Sequence, residues 1–370
     1  MDPIRSNLHK ISKLLKPQEH SQLIETYDYS NRIPGPASII DSQGYYIPGW
    51  FDTFEGAHNF EDASGPDKRF QKWIHVHFET KRFFVVANIA HMGLGGNVAI
   101  LLHDKKTGKT EKASATRYLM TNRISCDSTH SQFEDAHSGS WIHLHPDGSI
   151  EFDVRAKTLA LQGRAVTTLG KPFIQSTVYS PGMGTLQWWG NLCLEHGNVK
   201  HGNETIALEP GSLGAYDRTV GHRPQEQNWN WVSAVGQAVD EASDETVTFS
   251  LQVSKEKEKA NPRVHSQKYN LWLNETHTKF DDLTIDYTPD PQSRETGKWR
   301  ILGVGKNDSL NLSFRPHFHR REQKWLPGLL DIDFNQYYGT LSGRLVRGDK
   351  AYHIHKVFTV CEDSRMEIKV

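Results

Sequence analysis

Between residues 179 and 237 the chain gathers the side chains best suited to proton chemistry on an apolar molecule. Tyr179 is followed by Gln187-Trp188-Trp189-Gly190, then by Gly214-Ala215-Tyr216-Asp217-Arg218 with Gly221-His222-Arg223, and then by Trp229-Asn230-Trp231. The tryptophans bring large flat apolar surface, while Asp217, Arg218 and His222 bring charge and exchangeable protons. A carboxyl group held against aromatic walls loses hydration and keeps its proton to higher pH, provided that no cation sits beside it. Adjacent strand residues point to opposite faces, so Arg218 need not neutralise Asp217. The expectation is a catalytic acid at Asp217, with His222, Tyr216 and Glu362 completing a proton path. Trp188, Trp189, Trp229, Trp231, Gln187, Arg218 and His91 are expected to line the substrate. The plainer reading of the same residues is a tryptophan-rich core with an ordinary Asp217–Arg218 bridge at its rim.

A second pattern could hold a metal. His-x-His occurs at His75/His77, His143/His145, His317/His319 and His353/His355, and on a strand residues two apart share a face. A metal needs a third ligand, and only Glu79 follows at a suitable spacing. Polar histidines bonding across a strand face explain each pair better, so no metal is assigned. Gly93-Leu94-Gly95-Gly96 and Gly303-Val304-Gly305 do not extend into GxGxxG or a phosphate loop, and GxSxG, HExxH and CxxC are missing. No cofactor is expected.

The elements that must position these groups read as strands. In 246–254, Val247, Phe249, Leu251 and Val253 alternate with Thr248, Ser250, Gln252 and Ser254, and 150–155 repeats the pattern. Pro146-Asp147-Gly148 predicts a hairpin with 141–145, and Lys105-Lys106-Thr107-Gly108, Lys306-Asn307-Asp308 and Arg347-Gly348-Asp349 predict others. Many short strands at this spacing favour a sandwich or barrel over a parallel α/β fold. Trp73-Ile74-His75-Val76-His77 and Trp141-Ile142-His143-Leu144-His145 point to two strands of like environment. Segment 255–268, rich in charge and broken by a proline, reads as a solvated loop. Only the first 30 residues read as helical. Leu8, Ile11, Leu14 and Leu15 within 5–16 lie at helical spacing among basic residues, which suits either a surface helix or peripheral contact with an anionic membrane.

A chain of 370 residues is long for a single core, so two domains are expected, at 35–213 and 214–370 after an extension over 1–34. Lys and Arg total 43 against 44 for Asp and Glu, which leaves no field to attract nucleic acid. Three scattered cysteines fit a reducing compartment, and with neither a membrane-spanning run nor a signal-peptide pattern the expectation is a soluble, cytoplasmic protein.

These residues also carry a resemblance. Lys72-Trp73, the Phe83–Ala90 and Asn97–Asp104 strands, Gly214 to Arg218, the 228–236 segment NWNWVSAVG, Tyr338 to Gly343 and the late Glu362 together resemble a family known only as a domain of unknown function. That family is similar to the carotenoid 1,2-hydratase (hydroxyneurosporene synthase) and AttH-like group of calycins. The resemblance implies an all-β fold of two consecutive lipocalin-like antiparallel barrels around a hydrophobic cavity. It also implies acid-promoted hydration, or the shaping of a cyclisation, on isoprenoid- or polyketide-like molecules. The hydratase pattern looks like His-x-Trp followed by Tyr-x-Asp. Trp189 and Asp217 match it, whereas Gln187 and Ala215 depart from it. Expected is therefore a cofactor-independent hydratase-, cyclase- or isomerase-like enzyme on a hydrophobic small molecule. A non-catalytic carrier or sensor is the first alternative, and a metal-dependent or carbohydrate-active enzyme built on the His-x-His strands is the second.

Overall fold

The computed structural model describes residues 29, 31–93, 95–118, 124–127, 132–145, 147–256, 268–288 and 297–369. Within them the chain is almost all antiparallel strand, with two single-turn 3-10 helices at Phe60–Asp62 and Asp67–Arg69. The helix expected over 5–16 lies outside the described residues, as does most of the 255–268 segment. Of the expected 1–34 extension, Arg32–Ile33 is a short strand pairing in parallel with Gly49–Phe51. No helix among the described residues is long and apolar enough to cross a membrane.

Two compact units divide the chain after Pro224, with Leu169–Lys171 grouped with the second. In the first, Phe70–Glu79, Phe83–Met92, Gly95–Asp104 and Thr110–Tyr118 form one antiparallel meander. Ile124–Asp127, Gln132–Asp135, Ser140–Leu144, Ile150–Ala156, Leu159–Ser180 and Met183–His201 form another. The strand Leu213–His222 pairs with Met183–His201 on one side and Phe70–Glu79 on the other, joining the two meanders into one sheet. Its edges are the consecutive strands Thr110–Tyr118 and Ile124–Asp127, and Arg117 reaches from the first edge to Asp135 at 3.3 Å. Phe78 and Phe152 meet across the interior with ring centroids 5.5 Å apart, so the sheet is rolled around an apolar core that includes Ile74, Val76, Ile89 and Phe133.

Leu213–His222 overturns the expected boundary between 213 and 214. Its backbone groups find their partners on both flanks in the first sheet, and placing it in the second domain would leave two ladders of N–H and C=O groups unpaired. The glycines around 211–214 mark a turn within the first unit.

The second unit is an up-and-down barrel in which Lys350–Ile368 returns to pair with Glu226–Asp240. Thr276–Lys279 pairs with Lys268–Leu273, and Asp282–Thr288 pairs with Lys298–Val304. Only Phe280 and Asp281 separate those two pieces. The Phe280 N–H donates to Tyr269 O and the Asp281 N–H to Val304 O, each at 2.9 Å, so 276–288 runs as one bent strand that completes the ring. Such a ring of eight strands is just wide enough for side chains to fill, and Val232, Phe249, Leu251, Leu271, Trp299, Leu312, Tyr337 and Cys361 fill it. The fold is thus all-β and antiparallel in two consecutive units, as the alternating pattern predicts, with a rolled sheet in the first and a closed barrel in the second.

Candidate functional site

Alternation along Leu213–His222 sorts the expected site residues onto two faces. Residues paired directly across neighbouring antiparallel strands share a face, and Asp217 pairs with Trp189 on one flank and His75 on the other. Asp217 is 9% exposed, and its carboxyl accepts three hydrogen bonds. The Trp189 indole N–H donates to Oδ1 at 2.8 Å, the Thr219 hydroxyl donates to Oδ1 at 3.1 Å, and the Trp73 indole N–H donates to Oδ2 at 3.3 Å. Behind Thr219, Gln187 Nε2 donates to its hydroxyl oxygen at 3.2 Å, which turns the hydroxyl proton toward the carboxyl. Gln187 thus orients a donor to the carboxyl. Trp189 also packs on Phe173, with centroids 5.4 Å apart, and the Arg223 guanidinium lies 5.2 Å above the Trp73 ring.

This face is aromatic but not apolar. Gln71, His75, His77, Gln175, Thr177, Gln187 and Thr219 are all buried on it or along its ladders. Burial pushes the His77 imidazole down to about 3, so it is neutral. Among the described residues no protein group meets the Gln71 side-chain amide, either His77 ring nitrogen, or Gln187 Oε1. Buried polar atoms of this kind need a partner, and water or a bound molecule's hydroxyl supplies one.

On the opposite face are Tyr216, Arg218, Trp188 and, by the same alternation, His91. Arg218 is fully buried, with its guanidinium carbon 3.9 Å from the Trp188 ring centroid and 6.0 Å from that of Phe133. Arg218 is thus a cation of the interior, on the face of the sheet opposite to Asp217. Burial raises the Tyr216 hydroxyl well above the ordinary phenol range, with Arg218 opposing. Gly190 faces Tyr216 because any side chain there would run into its ring. Trp188 is further enclosed by Phe54 and His58, whose rings lie 5.8 and 5.0 Å away. Tyr216 therefore stands on the other side of the sheet from the carboxyl it was expected to assist. His222, five residues along at about 3.4 Å per residue, is bonded through Nδ1 to the Tyr46 hydroxyl at 2.8 Å and is held down at about 4 by burial, with Asp67 opposing.

Glu362, Trp229 and Trp231 lie in the second unit. The Trp229 indole N–H donates to Glu362 Oε2 at 2.8 Å, and Gln336 Nε2 donates to Oε1 at 2.7 Å. Tyr338 and Arg320 donate in turn to Gln336 Oε1 at 2.8 and 3.2 Å. Trp231 is buried directly opposite Glu362 in the ladder. Each unit thus carries one buried carboxyl held by an indole N–H on the face turned away from its apolar core.

Trp73 and Thr219 complete the Asp217 cluster, and sequence reading did not single them out for it. Trp73 opens the first of the two Trp-Ile-His repeats, yet which carboxyl it meets depends on cross-strand register. Among the described residues, no group of three His, Cys, Asp or Glu side chains is placed to hold a metal ion. The His-x-His side chains have other neighbours: His143 meets Glu134 at 3.1 Å, and His319 meets Asn335 at 3.0 Å.

A family profile described as a domain of unknown function (DUF2804) matches residues 30–367. No curated protein matches the chain significantly. Among solved structures, an AttH-type protein of Nitrosomonas europaea superposes with a TM-score of 0.47 at 12% identity, over 85% of this chain and 97% of that one. Kievitone hydratase of Nectria haematococca superposes with a TM-score of 0.39 at 11% identity, over 91% of this chain and 99% of that one.

Proposed function

We propose a proton-transfer enzyme for this chain, which belongs to the domain-of-unknown-function family DUF2804: a cofactor-independent hydratase, or the related cyclase or isomerase, with Asp217 as its acid–base group. The observation that carries the reading is the buried Asp217 carboxyl held by Trp189, Trp73 and Thr219. Hydrogen bonds to a charged acceptor contribute about 1.5–3 kcal/mol each, and three donors fix where the carboxyl sits and which way its oxygens face.

The three donors favour the carboxylate, so the protonated form of Asp217 is the minor but more strongly acidic one, and in the hydration direction that form gives its proton to one alkene carbon of the substrate. Water then bonds to the resulting cationic carbon and returns a proton to the carboxylate, so the residue is restored and one water is gained. The indole faces stabilise the transient cation by about 0.5–2 kcal/mol each. Gln71, His77 and Gln187 suit the water and any substrate hydroxyl, so the substrate is an apolar skeleton carrying polar groups. Isomerisation or cyclisation uses the same first step without capture by water.

Carriage of an unchanged ligand is the second reading. It is favoured by Arg218, a fully buried cation on Trp188 inside an apolar barrel, which suits the acidic end of an amphipathic molecule. One experiment separates the two. The purified protein is incubated with an extract of apolar metabolites in water enriched in heavy oxygen, and the extract is then profiled by mass spectrometry. Hydration predicts a product that is one labelled water heavier than its precursor. A ligand that co-purifies with the protein and returns unchanged, with no labelled product, supports carriage instead.

A further inference from the structure

On the outward face of the first unit, with Asn198 nine residues along Met183–His201 from Trp189, a groove of about 280 Å³ is lined by Trp141, Glu151, Asp153, Gln162, Arg164 and Asn198, among others. The ladder explains its regularity. Trp141, Asp153, Gln162 and Asn198 stand directly opposite one another on four successive strands, while His143, Glu151, Arg164 and His196 form the next rung. Neighbouring strands are about 4.8 Å apart, so one rung spans roughly 14 Å. The polar groups are held in place. Burial opposes ionisation of Asp153, but Arg155 donates to it at 2.9 and 2.6 Å and Gln162 at 2.8 Å, and the net effect is a carboxyl below its usual range. Arg164 lies between Glu195 at 3.3 Å and Glu151 at 3.8 Å. The Trp141 indole packs against His143 at a tilt of 35°, with centroids 4.6 Å apart.

We infer that this groove is a binding site for a neutral carbohydrate, one or two pyranose rings long. A flat indole bordered by a carboxylate, two amides and a guanidinium matches the two surfaces of a sugar. The ring's C–H face lies on the aromatic, and adjacent hydroxyls pair with planar groups that bind two atoms at once. The volume is at the small end for ligand sites, and the groove lacks the enclosed apolar walls that a lipid needs. Glu134, Glu151, Asp153 and Glu195 outnumber Arg155, Arg164 and Lys200 around it, which disfavours acidic sugars and nucleic acid. The site is independent of Asp217 and of the reaction assigned to it.

Titration calorimetry on the full chain with maltohexaose, cellohexaose and chitohexaose tests the inference, with an oligogalacturonate as the acidic control. At least one neutral oligosaccharide binds with a Kd below about 10 mM, and Trp141→Ala weakens that binding by about ten-fold or more. Asn198→Ala weakens it in the same direction, and the melting temperature of each variant shows whether the fold is kept. Failure of all three neutral probes to bind overturns the inference. So does binding that survives both substitutions undiminished, or a preference for the oligogalacturonate.

Discussion

An indole N–H donates and never accepts, and this one-way chemistry fixes what Trp73 and Trp189 do to Asp217. Both support the negative form of the carboxyl, so removing either donor makes Asp217 hold its proton more tightly. Trp189→Phe keeps an aromatic ring, a smaller one, and loses the N–H. Its hydration activity should extend to higher pH than that of the wild type, with a turnover reduced by about ten-fold or more, the worth of one hydrogen bond to a charged group, as a pH–rate profile would show. An unmoved alkaline limb would mean that the indole only fills space. His77 yields a second prediction, on stability. Its folded pKa is about 3 against an ordinary 6.5, so stability is complete above pH 6.5 and is lost as pH falls toward 3, because over that window only the unfolded chain takes up the proton. The slope is about 1.4 kcal/mol per pH unit, and His77→Leu should flatten it in urea melts between pH 6.5 and 4. Asp217, Trp189 and Gln187 were legible from their spacing along the chain. Trp73 and Thr219 were not, because their contact with Asp217 is set by pairing between distant strands.

Strand by strand, the alternation in the sequence was a sound guide to which side chains face the core, but not to what covers the other side. Val247, Phe249, Leu251 and Val253 do enter the second barrel's core, yet Ser250 and Gln252 on the reverse face are also fully buried. Period-two patterning identifies a strand without saying whether its polar face meets water. Turn chemistry was equally readable: Gly108, Gly148 and Gly348 all sit at positive φ in the hairpins that their neighbours predict. The bend that closes the second barrel was not readable, since Phe280 and Asp281 carry no turn signature and act only through bonds to two separate strands. Phe280 is 2% exposed in the core, and Phe280→Ala should cost about 3–5 kcal/mol of stability in chemical denaturation. A loss below about 1 kcal/mol would show that the closure does not depend on its packing.

At the scale of the molecule, two cores were legible from length alone, but the division between them fell in the wrong place. Glycines near 211–214 look like a linker, whereas Leu213–His222 is the strand that holds the first sheet together. A fragment ending at residue 224 should therefore elute as a folded monomer, while one ending at 213, with two strand edges unpaired, should aggregate. Equal behaviour of the two fragments on gel filtration would contradict the assignment of that strand. The same strand carries Asp217, so the element that completes the first sheet also presents the group assigned to the chemistry. The most direct measurement compares Asp217→Asn with the wild type for turnover of whichever labelled product the metabolite screen yields, with circular dichroism confirming that the strands are kept. The account predicts a loss of about 10²–10⁴-fold in a folded protein. A folded Asn variant that turns over at the wild-type rate would contradict it.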